Sequence, residues 1–370
     1  MAFERERIRR MRGYTSGEQP LDDATIKLNT NENPYPPSPA VAEALGRFDV
    51  ATLRRYPQPT ADPFRDLVAA RAGLARDSVL VTNGGDEGLR LAFTTYLEPG
   101  DVFGTTDPSY SLYPVLSEIQ GCDTVTVPLT DHWELPGDFA ARLNDAGARL
   151  VCLVCPHAPT GHLFDVSTLT RLANELQGVL VVDEAYVDFV DPALRHDTIN
   201  LIRAFENVLL LRTLSKGYSL AGLRFGWMLG SPALIAPMVH KTRDSYNVDA
   251  LAQTVACAAY ADLEYAQDTW EKVRAERRRL RDALCLRGYD VPPAQTNFLL
   301  AAPPPDRNVS AHALYEGLKA RGILVRHFSA QRLDDKVRIT VGDPAQNDRL
   351  LSALDELLPP GESLLISKTK

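Results

Sequence analysis

Cysteine is scarce in this chain: five in 370 residues, an odd number, which argues against a disulfide framework and sets the expectation of a reducing, cytoplasmic compartment. Cys152 and Cys155 form a C-x-x-C, but they lie in Arg149-Leu-Val-Cys-Leu-Val-Cys155, which reads as a strand. Positions i and i+3 of a strand point to opposite faces. No second Cys/His pair stands at zinc spacing, so neither a redox nor a metal role is expected. No apolar run approaches the roughly 20 residues that a membrane helix requires. The charged opening Met1-Ala-Phe-Glu-Arg-Glu-Arg-Ile-Arg-Arg10 has no apolar segment behind it, and no secretory leader is expected. Positive charge is not in excess either. Lys and Arg number 40 against 48 Asp and Glu, a net charge of -8, which disfavours nucleic acid or an anionic membrane as partner. An anion site, if present, has to be a local cluster.

What is present suggests a globular protein of about two domains. Hydrophobic residues make up 45% and charged residues 24%, and the chain is long enough to bury a large core without staples. Residues 1–45 are irregular and proline-rich around Asn29-Thr-Asn-Glu-Asn-Pro-Tyr-Pro-Pro-Ser-Pro39, a segment that reads as neither helix nor strand. From residue 64 helix and strand patterns alternate. Strands are expected at 78–82, 102–106, 124–127, 150–155, 179–183, 207–212 and 224–229. Helices are expected at 64–73, 86–97 and near 111–120, 136–145 and 166–177. Such alternation predicts an α/β domain with a mainly parallel sheet covered on both faces. The segment 262–287 carries charge on most faces and reads as a long solvated helix between two lobes. A smaller α+β pattern follows, with strands at 297–301, 323–326 and 337–341 and helices near 310–321 and 344–358. The expected division is an arm plus part of a small domain (1–45), a large domain (46–262) and a small C-terminal domain (263–370).

The most informative stretch is Arg212-Thr-Leu-Ser-Lys-Gly-Tyr-Ser-Leu-Ala-Gly-Leu-Arg-Phe-Gly-Trp227. Lys216 sits just past the carboxyl end of an apolar strand, where open α/β sheets keep their ligands. A lysine there can form a Schiff base, while Thr213, Ser215 and Arg224 hold a phosphate; that combination suggests pyridoxal 5′-phosphate (PLP). Asn83-Gly-Gly-Asp-Glu-Gly88 joins a strand to a helix and is a plausible phosphate cradle, although it matches neither G-x-G-x-x-G nor the P-loop. Asp183, at the end of Val181-Val-Asp, suits a protonated pyridine nitrogen, and it suits a helix N-cap equally. Tyr110, in Asp107-Pro-Ser-Tyr110, suits stacking on a planar ring, or a place in the core rim. Arg338 and Arg326, each within an apolar β pattern, suit bidentate recognition of carboxylate or phosphate, or snorkelling to solvent.

Taken in order, these segments resemble the fold-type I PLP-dependent aminotransferases over nearly the whole chain. The resemblance rests on Leu28-Asn-Thr-Asn-Glu-Asn-Pro34, Arg55-Tyr-Pro-Gln-Pro59, Gly85-Asp-Glu87, Pro108-Ser-Tyr110, Asp183-Glu-Ala-Tyr186, Arg212-Thr-Leu-Ser-Lys216, Ala221-Gly-Leu-Arg224 and Arg338-Ile-Thr-Val-Gly342. Within that family it is nearest to the histidinol-phosphate aminotransferase branch. The resemblance implies fold type I, a large domain with a mainly parallel central sheet plus a smaller α+β domain. Lys216, Asp183 and Tyr186 take the catalytic positions, with Lys216 as Schiff-base lysine and proton shuttle, Asp183 as partner of the ring nitrogen and Tyr186 as donor to the phenolic oxygen. Tyr110 is the implied stacking residue. Gly85, Asp86, Glu87, Thr213, Ser215 and Arg224 line the cofactor site, and Tyr56 reaches it from the other subunit of a homodimer. Tyr14, Asn31, Arg326 and Arg338 are the implied substrate residues. The implied substrates are an amine, first L-histidinol phosphate, and 2-oxoglutarate as the 2-oxo acid. Another amine of the same family, an aromatic amino acid or a phosphorylated amino acid undergoing decarboxylation, is the alternative.

The chain departs from the family at one point. Where the family has Asn-Pro-Thr-Gly, this sequence has Ala158-Pro-Thr-Gly161. Alanine donates nothing to the phenolic oxygen, which raises the expected pKa of the lysine–cofactor link. Tyr186, His157 or a water are the available substitutes.

Overall fold

A computed structural model describes residues 3–20, 22–307 and 309–358. By internal contact the chain divides into two units. One comprises Met1–Thr15, Tyr35–Lys272 and Ala294–Thr296; the other comprises Ser16–Pro34, Val273–Pro293 and Asn297–Lys370. Residues 1–2 and 21 of the expected arm and 308 and 359–370 of the expected small domain lie outside the described residues.

The first unit is built on a seven-stranded sheet. Its strands are β1 (Val79–Thr82), β2 (Val102–Asp107), β3 (Asp123–Pro128), β4 (Ala148–Val154), β5 (Val179–Asp183), β6 (Val208–Thr213) and β7 (Gly226–Gly230). They lie in the order β1-β7-β6-β5-β4-β2-β3. β7 is antiparallel to both neighbours, and every other pairing is parallel. The central strands are near-continuous apolar runs because helices cover both faces: Leu150, Val151, Cys152, Leu153, Leu180, Val181, Val182, Leu209 and Leu210 are all fully buried. β3, at the edge, is mostly exposed. Helices α1 (Gly84–Tyr96) and α2 (Leu112–Gln120) follow the carboxyl ends of β1 and β2. All the strands that run in parallel therefore deliver their succeeding turns to one edge of the sheet.

In the second unit, β8 (Phe298–Ala301), β9 (Arg326–His327) and β10 (Val337–Thr340) form an antiparallel sheet in the order β9-β10-β8. The helix Pro344–Leu357, the last among the described residues, starts on a capping box between Asp343 and Gln346.

Three expectations need correction. The expected strand at 323–326 is two strands in two sheets: Ile323–Leu324 pairs in parallel with Ile26–Lys27, while β9 pairs with β10. The first 45 residues are not irregular throughout, since Ile26–Lys27 is a strand and Glu6–Arg10 and Pro39–Gly46 are helical, the last capped by Ser38. The long charged helix α3 (Leu263–Leu286) is not a solvated rod. Ala266, Thr269, Val273, Leu280 and Leu284 are buried in one helical stripe, and Arg274 and Arg277 are buried with it. Among the described residues no helix is long and apolar enough to cross a membrane.

Candidate active site

Asp183 is the last residue of β5 and is 5% exposed. Its Oδ2 accepts a hydrogen bond from the Tyr113 hydroxyl at 2.9 Å, and its Oδ1 accepts one from the Ala185 amide at 3.2 Å. Burial nevertheless pushes its carboxyl up to about 6, with the charges of Asp86 and Glu184 adding to the rise. A desolvated carboxylate of this kind gains most from a cation brought to it.

Beside it, the turns after β1 and β6 and before β7 bring together groups that suit an anion. α1 opens on Gly84 and Gly85 with its amides and positive dipole end directed outward. Gly84 has φ +77°, and a Cβ there would stand 2.6 Å from Arg224 Nη2. Arg224 is itself held at φ +57°, its Nη1 donating to the Ala221 carbonyl at 3.0 Å and to Ser215 Oγ at 3.4 Å. Its Nη2 is 3.5 Å from Asp86 Oδ2. Thr213 Oγ1 lies 2.9 Å from Ser215 Oγ and 3.0 Å from the Phe225 carbonyl, and it accepts from the Ser215 amide at 3.1 Å. Thr213 thus shapes the turn that carries Ser215, whose hydroxyl meets Arg224. Gly226 is a steric requirement of the same cradle, because a Cβ there would be 2.8 Å from the Gly84 carbonyl carbon and 2.9 Å from the Gly85 nitrogen.

Half-buried Lys216 follows Ser215 directly. Its neighbour Gly217 is fixed on both sides: a Cβ there would strike Asp188 Oδ2 at 2.1 Å, and Trp270 Nε1 donates to the Gly217 carbonyl at 2.7 Å. Burial pushes the Asp188 carboxyl up to about 7, against the opposing charge of Arg212. Beneath the turn, Arg212 Nε donates to Glu184 Oε2 at 2.7 Å, and Thr198 donates to the other oxygen of Glu184. Tyr110 stands at the far side, edge-on to Tyr113 at 5.5 Å between centroids and to Tyr14 at 6.0 Å. Its hydroxyl reaches Asp86 Oδ1 at 3.4 Å. Tyr186, 8% exposed, sits in the turn that follows Asp183.

A phosphorylated aldehyde with a planar ring and a basic ring nitrogen fits this set. The cradle suits the phosphate, the buried carboxylate suits the protonated nitrogen, Tyr110 offers a ring face, and Lys216 offers an amine.

Not every expected cofactor residue faces the cradle. The Glu87 carboxylate turns back to accept from the Asn83 amide and from Asn247 Nδ2 (2.9 Å), so it closes the start of α1. Tyr56 is 80% exposed and stacks on Tyr246 at 4.4 Å. At the Ala158 position, His157 is no substitute donor. Burial lowers its pKa to about 3, so the ring is neutral and carries a single N–H. Nε2 lies 3.2 Å from the Pro108 carbonyl, which requires a donor, and Nδ1 lies 2.8 Å from the Thr160 hydroxyl. Both nitrogens are occupied.

The second unit holds Asn31, Arg326 and Arg338 of the expected substrate residues, whereas Tyr14 belongs to the first. Arg326 and Arg338 are directly opposite each other in the β9–β10 register. Like charges so placed are destabilising unless an anion or another group offsets them. Arg338 Nη2 donates to the Asn29 carbonyl at 2.9 Å, and both guanidinium groups lie over Phe328, at 5.7 Å for Arg326 and 5.5 Å for Arg338. Asn31, at φ +58°, is buried and bound to Thr340 through its amide (3.0 Å) and its side-chain oxygen (3.1 Å). Sequence reasoning passed over Tyr113, Glu184 and Arg212 as site residues. The first has no period or motif of its own, and the other two were read only as neighbours of Asp183 and Lys216.

The "Aminotransferase class I and II" family model matches residues 23–354. Histidinol-phosphate aminotransferase 1 of Trichormus variabilis is 42% identical over 355 residues, covering 96% of this chain and 98% of that protein. Histidinol-phosphate aminotransferase of Geobacter sulfurreducens is 42% identical over 358 residues, covering 95% and 99%. Among solved structures, histidinol-phosphate aminotransferase from Sinorhizobium meliloti in complex with pyridoxal 5′-phosphate superposes with a TM-score of 0.89 at 25% identity, covering 97% of this chain and 98% of that one.

Proposed function

Because the chain belongs to the class I and II aminotransferase family, we propose that it moves an amino group from L-histidinol phosphate to a 2-oxo acid, 2-oxoglutarate, with PLP as cofactor. The observation that carries the reading is the strand-end set: a buried carboxylate at Asp183, an anion cradle at Gly85, Ser215 and Arg224, and Lys216 beside both. PLP, when bound, supplies an electron sink for the pair released at the substrate's Cα. Ser215, Arg224 and the amides that open α1 hold its phosphate. Asp183 holds the ring nitrogen protonated, Tyr110 covers a ring face, and Tyr186 donates to the phenolic oxygen. Lys216 would hold the cofactor through its amine and, once the substrate amine took its place, would serve as the base that carries the substrate's Cα proton.

The substrate reading is supported by the paired Arg326 and Arg338, which suit a phosphate dianion in one half-reaction and an acid in the other, and by the activity carried in the names of relatives about 42% identical. The enzyme is read as a cytoplasmic homodimer in which exposed Tyr56 reaches the other subunit's phosphate cradle. A half-reaction screen tests the substrate. Holoenzyme mixed with histidinol phosphate, or with glutamate, is expected to lose its visible cofactor band within a turnover time. A fast response to phenylalanine, or carbon dioxide release from phosphothreonine, alongside silence toward histidinol phosphate, contradicts it.

A further inference from the structure

We propose that Tyr113 is a positioning residue for the cofactor's ring nitrogen: through its hydrogen bond to Asp183 it keeps that carboxylate anionic and aimed, so the shared proton stays on the ring. The inference rests on the PLP reading above.

Tyr113 lies in the first turn of α2 and is fully buried. Its hydroxyl donates to Asp183 Oδ2 at 2.9 Å, opposite the Ala185 amide on Oδ1 at 3.2 Å. The two donors fix the plane of the carboxylate from both oxygens. The same phenol ring meets Tyr110 edge-on, at 5.5 Å and 85°. One side chain therefore braces both the group placed to pair with the ring nitrogen and the group placed to cover the ring face.

The proton balance gives the direction of the effect. A donor to a carboxylate stabilises its charged form and makes it a weaker base. The ionisable groups facing Asp183 from neighbouring elements, Asp86, Glu184 and the Cys152 thiol, all disfavour its charge or are neutral. Of the two groups that lower its proton affinity, Tyr113 contributes more than the Ala185 amide. Without the phenol the carboxylate becomes the stronger base, and the proton moves from the ring nitrogen towards Asp183. The ring then withdraws electrons less strongly. The missing Asn donor at 158 makes this pole of the ring the better supported one.

The test compares full-length Tyr113→Phe with wild type, using PLP labelled with 15N in its ring. Phenylalanine keeps the ring against Tyr110 and removes only the hydroxyl. We expect PLP dissociation about tenfold tighter in wild type than in the variant, and a ring 15N resonance displaced towards the unprotonated form in the variant. In an Asp183→Asn background, Tyr113→Phe is expected to weaken PLP less than twofold further. Incorporation of 3-fluorotyrosine at 113, a stronger donor of the same shape, moves the resonance the opposite way and needs no folded Phe variant. An unchanged resonance in both variants overturns the proposal, and so does an equal tenfold loss in the Asp183→Asn background, which is the behaviour of a purely packing role. A wild-type chain that takes up no PLP removes the underlying reading before any variant is compared.

Discussion

At position 158 an alanine stands beside a histidine that is sealed from solvent and bound at both nitrogens. On the PLP reading, His157 is not available to the cofactor's phenolic oxygen, and Tyr186 or water would have to serve it. Restoring the donor is expected to favour the anionic oxygen. Ala158→Asn should lower the pH midpoint at which the visible band of lysine-bound PLP titrates by about 1–2 units, read by absorbance. No shift would show that another group already makes the contact. His157 supplies a second residue-scale prediction. Its folded pKa is depressed to about 3, below the ordinary value near 6.5, so the unfolded chain binds more protons between those values. Its stabilisation is complete above about pH 6.5 and is lost as pH falls towards 3. Asp183 and Asp188, raised by burial, run the other way, being lost as pH rises. The histidine must therefore be isolated by comparison. Going from pH 7 to pH 5, apo wild type should lose about 2 kcal/mol that His157→Gln does not, measured by urea unfolding. Of these details the sequence disclosed the Ala158 substitution but not the state of His157, because burial and the Pro108 carbonyl come from the turn after β2, distant in the chain.

Elements were legible where periodicity was strong. β5 has the bounds expected for it; the apolar run of β6 was read as a buried parallel strand and that of β4 as a strand, and both are apolar on the two faces that a parallel sheet buries. α3 was misread for an equally physical reason. Its arginines and glutamates hide a stripe of small and aliphatic residues, and Arg274 and Arg277 are buried despite their charge. The split of 323–326 between two sheets has no signature in four residues. What only the structure gives is the close approach of β7 to the start of α1. Gly226 has backbone, not a yielding side chain, within 2.9 Å of any Cβ. Gly226→Ala is expected to destabilise the protein by about 1–3 kcal/mol and to weaken PLP retention more than tenfold, since α1's amides must withdraw. A thermal melt and a PLP titration check this; retention equal to wild type would place the phosphate elsewhere.

On the scale of the whole molecule, a net charge of -8 surrounds local basic clusters, so recognition of anions depends on where a few arginines are placed. The resemblance carried the function further than composition did, because Asp183 and Arg338 are distant in sequence from the Lys216–Arg224 segment and share no period with it. Composition alone would have stopped at a two-domain α/β protein. The exposed Val50, Leu53, Tyr56 and Tyr246 leave apolar surface open on one chain. Sedimentation should show a dimer at micromolar concentration, and Tyr56→Phe should bind PLP severalfold more weakly without dissociating it; a monomer with wild-type PLP affinity would contradict both. The central claim is that the amine of Lys216 carries the cofactor. Reducing the holoenzyme with borohydride and mapping its peptides by mass tests this directly. The account predicts one phosphopyridoxyl group per chain, on the peptide containing Lys216 and nowhere else. Label on another lysine, or none on a protein that still transaminates, would contradict it.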